Sequence, residues 1–229
     1  MQPLAIYPQP DRPSNPTPLE MAIYNYELKA KAFYDRKAKL RGSKDSEIID
    51  RLNQDYNHLE KERKRLESIT VIQESLDAYR AANELSDEET LLKENHHPTN
   101  KLARFLTAVG EPKPTVKHEA HHIIPGKGRF VAMPLLRARL QLHTHGIGIN
   151  DPMNGVWLYG TEKGKDFDWA TADTVSHRRL HRHNYELWIS DTLRAQVNKT
   201  QFVNLLRQVK LKIKMGTMPQ NVMMPKNKA

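Results

Sequence analysis

The chain has 229 residues, 38% of them apolar and 28% charged, with a formal net charge of +9 at pH 7. That length bounds one or two domains with a modest core, and no apolar run is long enough to span a bilayer. Cysteine is absent, which excludes a disulfide framework, a thiolate zinc site and a cysteine nucleophile, so a metal has to be held by His, Asp, Glu or Asn.

Residues 1–18 hold six prolines and read as an extended, Pro-rich linker. They show neither the basic n-region nor the apolar h-region of a Sec-type signal. Residues 19–97 read as a helical N-terminal region. Leu19 to Leu40 lacks Gly and Pro and predicts a helix, broken at Arg41–Ser43. A second helix, capped near Ser43 or Asp45, carries Ile49, Leu52, Tyr56, Leu59 and Leu66 on a 3-4 spacing, the seam of a helical hairpin or coiled coil. It is expected to run on through Ile69, Ile72, Leu76 and Tyr79. Ser86–Glu89 signals the start of a short helix, and Lys101 to Val109 predicts another, ended by Gly110 and the Pro112/Pro114 pair. The N-terminal region is expected to serve docking or packing.

From Thr115 the texture changes. Val116 to Ile124 predicts a strand, ended by Pro125–Gly128. Pro134 to His145 predicts a helix, Gly146 to Gly155 a turn-rich loop, Val156 to Tyr159 a short strand, and Gly160 to Asp168 a polar loop. Thr174 to Leu187 and beyond reads as one helix, Thr200 to Met215 as a last basic helix, and residues 216–229 as a disordered tail. The order strand, loop, strand, helix suffices for a ββα unit. The expected fold class is therefore α+β, mostly helical: an N-terminal helical hairpin or coiled coil, then a ββα-metal domain over residues 98–215 with flanking helices.

Charge is unevenly spread. Residues 101–229 carry 21 Lys+Arg against 9 Asp+Glu, whereas residues 1–100 carry 15 against 18. A basic half suggests a polyanionic partner, bound through phosphate contacts and counterion release. The same half holds eight of the eleven histidines, between His118 and His183. His121 and His122 are adjacent on a predicted strand and so face opposite ways, so that one can bind a metal while the other faces a substrate. His177 and His181 are four apart and share a face of a helix. With one strand histidine they make a three-His site with open positions, which is how a catalytic metal is held. His118, His143, His145 and His183 read as surface residues or phosphate contacts; His58, His96 and His97 receive no assignment.

The run Glu119-Ala120-His121-His122-Ile123-Ile124-Pro125, the block Gly146–Asp151 with Asn154–Leu158, and the closing block His177–His181 with Tyr185 resemble, in order, the signature of the AHH nucleases. That family belongs to the HNH/endonuclease VII group of His-Me finger enzymes. The resemblance covers roughly residues 100 to 195 and implies roles position by position. His122 falls on the general base, His121 on the strand metal ligand, and His177 and His181 on the helical ligands. Asn154 matches the central Asn, expected to hold the loop and orient the base. Glu119, two residues before His121 and on its face of the strand, is expected to orient His121. Arg178, Arg179 and Arg182 are candidates for flanking phosphates. One divalent ion is implied, among Zn²⁺, Ni²⁺, Mg²⁺ and Mn²⁺; imidazoles favour the transition metals.

The resemblance further implies a DNA endonuclease that acts as an antibacterial toxin, as in polymorphic toxins and type VI secretion cargo. It would leave by a non-Sec route, act in the target-cell cytoplasm, and be blocked by an acidic cognate immunity protein. A secretion-apparatus partner would engage the N-terminal region, and no membrane contact is expected. Two other readings stand beside this one: an RNase toxin on the same fold, and a non-enzymatic, metal-stabilised nucleic-acid-binding or adaptor module.

Overall fold

The computed structural model describes residues 7–167, 173–195 and 197–226. The first six residues of the Pro-rich lead, Asp168 at the end of the polar loop, and residues 227–229 of the tail lie outside the described residues. The chain divides into two compact units, Met1–Gln73 and Glu74–Ala229. Among the described residues no helix is long and apolar enough to cross a membrane.

The first unit is a helical hairpin. Helix α1 (Pro18–Lys39) starts at a capping box in which Thr17 and Glu20 satisfy each other's backbone N–H groups. Helix α2 (Ser46–Glu84) starts where Asp45 Oδ1 accepts the Glu47 N–H at 2.9 Å. Ala30, Phe33 and Leu59 form the buried seam, flanked by Tyr26 and Leu52. Ile49 and Tyr56, expected on that seam, stay more than 40% exposed. The ion pairs Lys29–Glu62 and Arg36–Asp55 set the two helices antiparallel.

The second unit begins within α2 and continues through α3 (Glu88–Leu92), α4 (Asn100–Ala108), β1 (His118–His122), α5 (Ala132–Thr144), β2 (Gly155–Tyr159), α6 (His177–Leu180), α7 (His183–Leu193) and α8 (Lys199–Met215). β1 and β2 pair antiparallel. One face of this ribbon, through Ala120 and Trp157, packs on Leu102 and Leu106 of α4. The other, through Val156 and Leu158, packs into the main core with Leu135, Leu142, Ile189, Phe202 and Leu206. Each fully buried Leu or Ile contributes about 1.5–3 kcal/mol, so a two-stranded ribbon that would be marginal alone is held by helices on both faces.

Two expectations change. The single helix expected from Thr174 is two, because the chain turns at His181 (φ −68°, ψ 79°) and runs extended at Arg182. Arg182 takes the place of helical continuation: its Nε donates to the Arg179 carbonyl at 2.9 Å and its Nη1 to the Met223 carbonyl at 3.1 Å. The segment 216–226, expected as disordered tail, packs against α7. Val222 is fully buried, and Asn184 Nδ2 donates to the Asn221 and Met224 carbonyls.

Candidate active site

Strand pairing sets the site. His121 stands opposite Val156 and His122 opposite Gly155, so the two imidazoles leave the ribbon on different faces. His121 turns toward α6 and α7, and His122 toward the α4 side. Both are nearly fully buried.

His121 meets His177 and His181 at ring-centroid distances of 4.9 and 5.2 Å. One candidate ligand atom from each of the three lies within 4.8 Å of the others, so they form a potential metal-binding cluster. His177 is the first residue of the one-turn α6 and His181 caps its end, so they still converge, Nε2 to Nε2, at 2.9 Å. Partners behind the rings decide which nitrogens carry protons. The Tyr185 hydroxyl donates its one proton to the Ile123 carbonyl at 2.8 Å. Its oxygen can therefore only accept from His121 Nε2, 3.0 Å away, which leaves the His121 lone pair on Nδ1. Glu119 Oε2 accepts from His177 Nδ1 at 2.5 Å, which leaves the His177 lone pair on Nε2. Nitrogens bound to one tetrahedral zinc at about 2.0–2.1 Å stand about 3.4 Å apart, so this donor set fits a divalent ion. Burial, with neighbouring imidazoles adding, pushes His121 well below the usual histidine range and lowers His181. The neutral imidazole that results is the ligand form.

On the other face, His122 Nε2 lies 3.1 Å from Asn150 Oδ1. Burial is the main cause of its fall to about 4, so His122 is neutral at pH 7 and able to take a proton. All four histidines line one open cleft of ≈ 420 Å³, together with His96, His97, Lys127 and Arg129. The loop bearing Lys127 and Arg129 is held by buried Glu186 of α7, whose carboxylate accepts the backbone N–H groups of Arg129, Phe130 and Val131 at 2.8–2.9 Å.

The structure brings His121, His177, His181 and Glu119 together and places His122 beside them in the same cleft. Glu119 reaches His177 rather than His121: its strand face was anticipated, its partner was not. Asn154 is fully buried and clamps the loop, accepting the Ile124 N–H at 2.8 Å and donating to the Ile124 and Ile149 carbonyls. It is Asn150 that touches His122. Nothing in the spacing of the loop distinguishes the two asparagines. His96 and His97, unassigned from the sequence, bring their rings within 6.1 and 6.3 Å of His122. A side chain at Gly126 would collide with the His96 ring, so glycine is what lets it approach. His118 and His143, expected at the surface, are buried structural residues bonded to Thr115 and to Ile147 and Arg139. His183 stands apart, against Asn184. Arg182 is committed to backbone carbonyls, while Arg178 and Arg179 remain exposed.

A three-imidazole cluster shared between a β-hairpin and the helix after it, with a neutral imidazole on the opposite strand face of the same cationic cleft, defines a metal-dependent nuclease domain of the His-Me finger type. Residues 102–213 match the AHH model, described as a nuclease family of the HNH/ENDO VII superfamily with conserved AHH, and this part of the chain is a domain of that family. No curated protein and no solved structure matches the chain.

Proposed function

We propose that the domain hydrolyses DNA phosphodiester bonds with His122 as general base, and that the protein is an antibacterial toxin. One observation carries the reading. Two adjacent histidines are divided between a three-imidazole cluster and a buried neutral base, and both open on one cleft. His121, His177 and His181 would hold one divalent ion, Zn²⁺, Ni²⁺, Mg²⁺ or Mn²⁺, which polarises the phosphate and stabilises the departing 3′ oxygen. His122 accepts a proton from the attacking water. Glu119 orients His177, Asn154 holds the loop on which the site is built, and Lys127 and Arg129 bind flanking phosphates.

The decisive experiment incubates the full chain with plasmid and with total RNA, as wild type and as His122→Ala, with and without chelator. The expected result is plasmid cleavage that chelator and His122→Ala each abolish, with metal binding kept in the variant. Cleavage of RNA alone would make the protein an RNase on the same site. Undiminished cleavage by His122→Ala would remove the base assignment, and nucleic-acid binding with no cleavage would favour the adaptor reading.

The family match and the charge split, net +12 in residues 101–229, support this setting. An acidic immunity protein fits that half, and the helical first unit is the proposed contact for a secretion apparatus that delivers the protein, by a non-Sec route, to the target-cell cytoplasm. Expression without the neighbouring reading frame should arrest growth, and co-expression should restore it with co-purification of the two proteins. Unarrested growth would count against the toxin.

A further inference from the structure

His122 is met by Asn150, and the residues behind Asn150 come from outside the family-matched segment. Asn150 is 1% exposed, and both protons of its amide are taken: Nδ2 donates to Glu94 Oε1 and to the Asn95 carbonyl, each at 2.9 Å. Glu94 is itself built in. Its Oε2 accepts the Tyr79 hydroxyl at 2.7 Å and its Oε1 accepts Lys101 Nζ at 2.8 Å. Burial pushes the Glu94 carboxyl up, but the hydrogen bonds from Lys101, Asn150 and Tyr79 together outweigh it and leave the carboxyl below its usual range. It is therefore an ionised, acceptor-only partner. The Tyr79 oxygen also accepts the Asn150 backbone N–H at 3.2 Å, and it rests on Gly148, where a side chain would occupy the same space.

These partners leave the Asn150 amide one orientation. Flipped, its oxygen would face a carboxylate and a carbonyl with no proton between them, a cluster of buried, unpaired acceptors. Oδ1 consequently faces His122, and an oxygen with no proton can only accept.

We infer that Glu94 is a positioning residue of this nuclease: through Asn150 it fixes His122 as the Nε2–H tautomer, so that Nδ1 is the nitrogen that receives the proton from water. Tyr79 and Lys101 hold Glu94 in turn. The inference rests on the reading of His122 as general base, and it makes the stretch from Tyr79 to Asn95 part of the active site, although the family match begins at residue 102. Loss of the correct tautomer is a recognised way to lose catalysis while the geometry stays intact.

The test begins with histidine-¹⁵N-labelled, metal-free full chain, in which two-bond proton–nitrogen correlations report which ring nitrogen of His122 carries the proton. Wild type is expected to carry it on Nε2. Glu94→Gln keeps the size but supplies its own amide donor, freeing Asn150 to flip. It is expected to show averaged tautomers, and in the metal-loaded enzyme a kcat lower by about 10–100-fold with KM little changed. A proton on Nδ1 in wild type overturns the inference, and that measurement needs no variant to fold. So does a Glu94→Gln protein whose His122 signals and kcat both match wild type. His122→Ala separates the two levels: if it still cleaves, the base assignment fails, while the tautomer measurement on wild type still decides what Glu94 does.

Discussion

Replacing Asn154 with alanine is expected to unfold the nuclease unit more readily, and not merely to slow it. The Asn154 side chain is fully buried and serves three backbone groups, the Ile124 N–H and the Ile124 and Ile149 carbonyls. Alanine supplies none of these partners. At about 1–3 kcal/mol for each buried group left unpaired, and with partial relaxation of the loop, the loss should be about 4 kcal/mol. For a unit of this size that lowers the melting temperature by roughly 8–16 °C. All three tryptophans fall after residue 150, so denaturant titration followed by tryptophan fluorescence reads this unit directly. If Asn154→Ala unfolds within about 0.5 kcal/mol of wild type, the range of a neutral surface change, the clamp is refuted. Lost cleavage in such a variant would then assign Asn154 to orienting the site rather than to holding the fold.

The carboxylate and phenol behind the ligands make a second case. Glu119→Gln and Tyr185→Phe should each weaken metal affinity by about 10–100-fold, measured by calorimetry; unchanged affinity in both would show that the tautomers of His177 and His121 are not set by these partners. Acid should destabilise the metal-free protein. Burial lowers His143 and takes His122 to about 4, so below the unfolded value of about 6.5 the unfolded chain takes up protons that the folded one refuses. Stability present at pH 7 is therefore lost as pH falls from about 6.5 toward 4, with each such histidine contributing up to about 1.4 kcal/mol per pH unit. Urea midpoints that stay flat across that window would show that these imidazoles ionise while folded. Lys127→Ala and Arg129→Ala, assayed for DNA binding in chelator, should each reduce the slope of log affinity against log salt by about 1; an unchanged slope would remove them from the phosphate path.

Local chemistry was legible in the sequence. Caps and breakers placed the helices: Asp87 caps α3 with its Oδ1 on the Thr90 N–H, and Asp45 starts α2. Strand alternation alone required His121 and His122 to part company, and the i, i+4 spacing of His177 and His181 survived even though the helix they were assigned to breaks at His181, because one turn is enough to bring them together. What the tertiary structure alone decided is which partner each polar side chain found. Glu119 could be placed on the His121 face by period two, but its hydrogen bond to His177 depends on where α6 is carried by a loop of unrelated length. Asn150 and Asn154 sit in the same turn-rich block, and only the packing of Tyr79, Glu94 and α4 against that loop gives His122 to the first and the backbone clamp to the second. His96 and His97 precede any motif and enter the cleft because Gly126 leaves room for a ring. Spacing along a chain specifies direction from the backbone, whereas a hydrogen bond needs two atoms within about 3 Å, and over separations of 28 to 58 residues only the fold supplies that distance.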